Sequence, residues 1–236
     1  MGEQYPVFVP VRDRVTPLVQ LVDWLERAGV EDIWLIDNAS TFEPLLDYLR
    51  STPHHVVRSE QNFAHRSPWL TGSVQRHARN RYFVVTDPDV VPIEECPLDA
   101  LEHFRSLLDR YPDLHKAGFG LRIDDLPEQY ALAEQVRRWE ARFWADEREP
   151  GVFRADIDTT FALYRPMRRH LESHAVRTGF PYVARHLPWY QNSAALTDEE
   201  RYYRDHADPI ISNWDRDRLP LWKQRWLAQH APTDEP

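Results

Sequence analysis

Apolar and polar positions follow two periods along the first half of the chain. Residues 5–11 form an unbroken apolar run ending on Arg12-Asp13-Arg14, which reads as a buried strand whose carboxyl end turns polar. Thr16-Pro17 opens a helix in which Leu18, Leu21, Val22 and Leu25 recur at helical spacing until Gly29 stops it. Residues 32–37 (DIWLID) read as a strand, about 42–50 as a helix and 55–58 as a short strand. An irregular polar and aromatic segment, 61–72, precedes a further strand at 81–86. This order predicts an α/β fold with a mainly parallel sheet covered by helices on both faces. Ligands bind at the carboxyl ends of the strands in such sheets. Three polar clusters fall there: Arg12 to Arg14, Asp37-Asn38, and Asp87-Pro88-Asp89.

The second half is less regular. Residues 96–111 read as an amphipathic helix, 116–122 as a strand, 129–144 as a helix, and 153–164 (FRADIDTTFALY) as a strand or strand pair. Beyond Pro166 the pattern loosens into a helical piece at 167–174, a loop through 182–190 and a short helix at 197–206, with 232–236 as a disordered tail. Residues 1–125 are expected to form a ligand-binding half and 126–231 a second half of the same domain.

Composition narrows the function. The net charge is -9 and the pI about 5.6, which argues against a general nucleic-acid grip. No apolar run approaches the roughly 18 to 20 residues of a membrane span, so a cytoplasmic protein is expected. The single cysteine, Cys96, excludes an internal disulfide framework and a multi-cysteine zinc site. None of the seven glycines falls in a G-x-G-x-x-G or Walker A pattern, so phosphates, if bound, are held by another device. Nine tryptophans, including Trp139, Trp144, Trp189, Trp214, Trp222 and Trp226, serve core filling or stacking on a sugar ring.

The pattern RYFVVTDPDVVP concentrates charge at a strand end. Asp87 and Asp89 lie two apart and share one side of an extended segment, while Pro88 limits backbone bending. Two hard oxygen ligands suit Mg²⁺ or Mn²⁺ with positions left for water and phosphate oxygens. The competing explanation is an Asp-Pro-Asp turn.

The succession VPVRDR, a helix, LIDNAS, and a strand closing on TDPDVVP resembles the nucleotide-binding half of GT-A-fold glycosyltransferases, in particular the bacterial family 2-like enzymes. The resemblance covers about residues 5–125 and reaches, more faintly, DTTFALYRP and ARHLPWY. It implies a Rossmann-like GT-A sheet and a metal-dependent transfer of a sugar from a nucleotide-sugar donor, UDP favoured, to a saccharide or natural-product acceptor. It further implies that Pro10, Arg12, Arg14, Asp37 and Asn38 line the nucleotide site and that Asp87 and Asp89 hold the metal on the diphosphate. Asn62, His65 and Arg66 precede the D-x-D strand, and Arg66 is placed to pair with diphosphate oxygens.

An inverting transfer needs a base beside the acceptor hydroxyl. The candidates are Asp156 and Asp158, with Asp158 favoured because burial between Ile157 and Phe161 would raise its pKa; hydrogen bonding to Thr159, Thr160 or Arg154 is the structural alternative. His186 and His206 compete as a further metal ligand. Gln135-Val136-Arg137-Arg138-Trp139 matches the Q-x-x-R-W of processive synthases but precedes the candidate base, so it reads as a helix surface with a Trp anchor. His170 and His174 lack the glutamate placement of a zinc protease. Residues 145–150 read as a solvated loop. Two rivals share these features: a sugar nucleotidyltransferase, which lacks support from a glycine-rich N-terminal loop, and a non-catalytic sugar- or nucleotide-binding module.

Overall fold

The computed structural model describes residues 4–166, 172–208, 214 and 219–230. The expected disordered tail and most of the helical piece at 167–174, His170 included, lie outside them.

The chain runs β1 (Val7–Val11), α1 (Thr16–Arg27), β2 (Ile33–Asn38), α2 (Glu43–Ser51), β3 (His55–Ser59), α3 (Ser67–Leu70), β4 (Phe83–Val85), β5 (Val90–Pro92), α4 (Ala100–Arg110) and β6 (Lys116–Leu121). It continues through α5 (Ala133–Ala141), β7 (Glu147–Glu149), β8 (Val152–Arg154), β9 (Ala162–Tyr164), β10 (Ala175–His186), α6 (Asp198–His206) and α7 (Leu221–Gln229). The strands form a single sheet in the order β3-β2-β1-β4-β9-β6-β10-β8-β7, with β5 on β10. Strands β1 to β4 are parallel, β6 and β10 run the same way, and β9 and β8 run against them. The expected mixed, mainly parallel α/β sheet is therefore present. Its two halves are interleaved, because β9 and β10 from the second half flank β6.

Alternation along the strands separates two cores. Val7, Val9 and Val11 of β1 pack with Leu18, Leu21, Trp24 and Leu25 of α1, Leu45 of α2 and Phe104 of α4. Phe8, Ile36, Phe83, Val85 and Tyr164 face the other way. The three long helices of the first 130 residues, α1, α2 and α4, serve the first core; the second face is covered by Val74, Ala78 and Trp69 from short helical turns. Helical segments thus flank both faces, long helices on the first and short turns on the second. The 61–78 connection is too broken by Pro68 and Gly72 to build a long crossover helix.

The sequence loop at 182–190 is also corrected: β10 runs for 12 residues through Ala175–His186. It carries a register shift between Thr178 and Val183 against β6. The expected strand at 153–164 divides into β8 and β9, leaving residues 155–161 as a loop. Gly118 permits this loop to lie against β6, since a Cβ there would meet Phe161 O at 2.2 Å. No helix among the described residues is long and apolar enough to cross a membrane.

Candidate functional site

Sheet order reverses between β1 and β4, with β2 and β3 to one side and β9 to the other. A cavity of about 1090 Å³ opens at the carboxyl ends of these strands, where a switch point places ligands. Its lining includes Pro10, Arg12, Arg14, Asn38, Asn62, Asp87, Asp89, Asp156, Asp158 and His186. Asp37 and Arg66 are absent from it.

Their surroundings explain both absences. Asp37 is 3% exposed, and its Oδ1 accepts from Ser40 N at 3.0 Å, closing the turn after β2. Arg66 is exposed on a helical turn outside the cavity. In this arrangement Asp37 serves its own turn through Oδ1, and Arg66 stands apart from the cavity lining. Asn38 reaches the cavity but works as a clamp: its amide donates to Ser67 Oγ and Ala64 O, and its Oδ1 accepts from Phe63 N at 3.2 Å. Asn62 Oδ1 accepts from Ala64 N at 2.9 Å.

The Arg12-Asp13-Arg14 turn divides its labour. Arg12 donates to the carbonyls of Asn38 and Ala39. Asp13 accepts from the amides of Thr41 and Phe42 at the start of α2, an N-terminal cap contributed from a distance. Arg14 reaches Asp89 Oδ2 at 2.9 Å and Glu200 Oε2 at 3.0 Å, and stacks 3.6 Å over the Tyr203 ring. Glu200 and Tyr203 belong to α6, whose Glu199 accepts from Val15 N and Thr16 N.

Pairing of β5 with β10 brings the next group in. Val90 lies opposite His186, and Leu187 N donates to Asp89 O at 2.8 Å. His186 Nε2 consequently stands 3.6 Å from Asp89 Oδ1. Burial holds the imidazole below its ordinary pKa, against the raising effect of Asp89, so it is neutral at pH 7, the form that ligates metals. Two ligands of one six-coordinate ion lie about 3 Å apart, so a carboxylate oxygen and an imidazole nitrogen at this spacing fit a Mn²⁺ or Mg²⁺ ion. His206 lies outside the cavity and bonds to Tyr202 O. Asp87 does not complete a three-residue metal centre, and none is formed among the described residues. Its Oδ2 instead accepts from Thr159 Oγ1 at 3.1 Å. Burial, Asp158 and Asp89 together push its pKa well above the usual carboxylate range.

The 155–161 loop presents Asp158 to solvent within the cavity. Burial works to raise its pKa, but Arg177, the Thr160 amide and Lys116 overcome this and hold it below the ordinary value. The expected upward shift is corrected: Asp158 is ionised at neutral pH. Three buried groups fix the loop. Lys116 Nζ and Tyr164 Oη donate to Asp158 O at 3.0 and 3.2 Å. Arg177 donates twice to Asp156 O while pairing with Glu140 at 3.0 Å. Sequence patterns gave no signal for Lys116, Arg177 or Glu140. The Q-x-x-R-W helix forms α5, and its Trp139 and Glu140 also line the cavity.

No protein-family model and no curated protein matches the chain. Solved structures that align with it include a mannosyltransferase from Pyrobaculum calidifontis in complex with GDP-Man and Mn²⁺, at 14% identity and TM-score 0.48, over 99% of this chain and 76% of that one. Another is glucosyl-3-phosphoglycerate synthase from Mycobacterium tuberculosis with Mn²⁺, UDP and glucosyl-3-phosphoglycerate, at 13% and 0.43, over 70% and 57%. A third is an apo UDP-glucose pyrophosphorylase, at 12% and 0.48, over 86% and 99%. Likeness at this distance assigns no reaction, and the functional case rests on the cavity's own residues.

Proposed function

We propose that this chain is a metal-dependent glycosyltransferase of the GT-A kind, moving a sugar from a nucleoside-diphosphate sugar, UDP favoured, to a hydroxyl acceptor with inversion. The observation that carries the proposal is the convergence, in one cavity at the switch point, of the Asp89–His186 pair and the ionised, solvent-accessible Asp158.

Asp89 and His186 would hold a Mn²⁺ or Mg²⁺ ion, which when bound neutralises the charge developing on the departing diphosphate. Asp158 accepts the proton of the acceptor hydroxyl, and its ionised state at neutral pH supports that role. Lys116, Tyr164 and Arg177 hold the backbone on which Asp158 stands, so the carboxylate keeps its place through the reaction. In the free protein, Arg14 compensates the charge of Asp89; its Tyr203 and Glu200 contacts keep it at the cavity wall.

A panel of UDP- and GDP-sugars with Mn²⁺ and hydroxyl acceptors tests the reading through release of free nucleoside diphosphate. Asp158→Asn should lower turnover by about 10²-fold while donor affinity stays within a few fold. Near-normal turnover in Asp158→Asn with collapse in Asp156→Asn would move the base. Normal turnover in both, or a product with retained anomeric configuration, would remove the carboxylate-base mechanism.

A further inference from the structure

The end of the cavity contributed by α5 and α7 holds two cations that have no counter-charge in contact among the described residues. Lys223 is only 4% exposed and lines the cavity. Its Nζ lies 3.9 Å from the centre of the Trp214 ring, 4.5 Å from Trp139 and 5.6 Å from Trp222. Arg142 stacks 3.5 Å over Trp139 and 4.4 Å over Phe143. Among the described residues neither side chain forms an ion pair or a hydrogen bond; Lys223 is buried and Arg142 stands exposed at the rim of the cavity, whereas the buried Arg14 pairs with Asp89 and Glu200, and Arg177 with Glu140.

Burying an ammonium without a partner is costly. Ring faces offset only part of that cost and supply no acceptor for the three N–H groups. Glu140 and Asp158 act on Lys223 through space, but Glu140 is already spent on Arg177. Glu140, next to Trp139, is tied through Arg177 to Asp156 O on the loop that carries Asp158, so the α5 wall on which the cations stack adjoins that loop.

Resting on the sugar-transfer reading above, we infer that Lys223 and Arg142 form an anion subsite for the acceptor, which carries a carboxylate or phosphate group beside the hydroxyl that is glycosylated. The Trp139, Trp214 and Trp222 rings flank this subsite and hold the cations in place, Lys223 buried and Arg142 toward solvent. Lys223 supplies a compact charge, and Arg142 a planar edge suited to two oxygens.

Tryptophan fluorescence tests the inference in the full chain, because the rings that respond are those touching the cations. Inorganic phosphate and glycolate, with ethylene glycol as the uncharged control, are titrated without nucleotide or metal at constant ionic strength. Phosphate or glycolate should give a saturable change that ethylene glycol does not, and whichever of the two binds more tightly identifies the anionic group. Lys223→Met and Arg142→Gln should each raise the Kd about tenfold or more, while Lys223→Arg stays within about threefold. Circular dichroism and urea midpoints confirm that each variant is folded, and Lys223→Arg carries the test if Lys223→Met is not. A repeat with UDP and Mn²⁺ at saturation should leave the Kd unchanged. No saturable change, equal Kd values in all variants, or displacement of the anion by UDP–Mn²⁺ would overturn the inference. Failure of UDP–Mn²⁺ to bind, with anion binding still dependent on Lys223, would reject sugar transfer and uphold the anion site.

Discussion

Removing Arg177 should damage stability and chemistry together, by amounts the structure sets. The guanidinium and the Glu140 carboxylate it meets at 3.0 Å are 4% and 5% exposed at their side chains. Replacing Arg177 by Met strands that carboxylate in the interior, which costs about 3–5 kcal/mol. It also frees Asp156 O from two hydrogen bonds of 2.8 and 3.0 Å, worth about 1–2 kcal/mol more. Against a total stability of about 5–15 kcal/mol, the variant stands near its unfolding threshold at pH 7.5. Glu140 already has a pKa raised by burial, which Arg177 opposes. Without Arg177 it rises further, and because a raised folded pKa favours the protonated native state, the deficit shrinks as pH falls. Urea unfolding at pH 7.5 and pH 5, for Arg177→Met, Glu140→Leu and the double variant, measures each term. The double variant should recover most of the loss, with a coupling of at least about 2 kcal/mol. Additive single effects, or a deficit that does not change with pH, would refute the account of this pair.

Other consequences follow from single groups. Lys116 is fully buried, and its pKa is lowered to about 7 by burial, against the pull of Asp158. The native state therefore binds fewer protons than the unfolded chain between about pH 7 and the ordinary lysine value of about 10.4, so stability should rise with pH across that window, by at most about 1.4 kcal/mol per unit; a Lys116→Met variant should lose that slope in urea titrations at several pH values. Glu199→Ala removes the carboxylate that meets Val15 N and Thr16 N at 2.6 and 3.0 Å. It should cost about 1–2 kcal/mol and lower the Tm by about 2–6 °C in scanning calorimetry.

Legibility followed the range of the interactions. The order from β1 to β4 and the placing of Arg14, Asp87 and Asp89 at strand ends could be read because apolar periodicity is a local signal. Strand β10 could not: Gly179, Phe180 and Pro181 interrupt it, and such residues signal a turn, while its pairing to β6 and β5 supplies the order that local preference withholds. Alternation in DIDTTF suggested a strand, yet the ladder breaks there and the carboxylates sit on a loop held by Lys116 and Arg177. Those supports come from 42 and 21 positions away, a separation no local pattern records. The bond from Ser40 N to Asp37 was not legible either, because a strand-end carboxylate can serve its own turn as readily as a ligand. Lys223 was invisible for the same reason as Arg177: only the fold shows that its charge has no partner among the described residues.

The central claim is that Asp89 and His186 hold a divalent cation through which a nucleoside diphosphate binds, and calorimetric titration of UDP tests it most directly. With Mn²⁺ present, UDP should bind with a Kd at least about tenfold below that measured in EDTA, because diphosphate and the aspartates repel each other without a cation between them. Asp89→Asn and His186→Ala should each remove that difference while leaving the fold intact by circular dichroism. Equal UDP affinity with and without Mn²⁺, or a metal effect that survives both substitutions, would contradict the account.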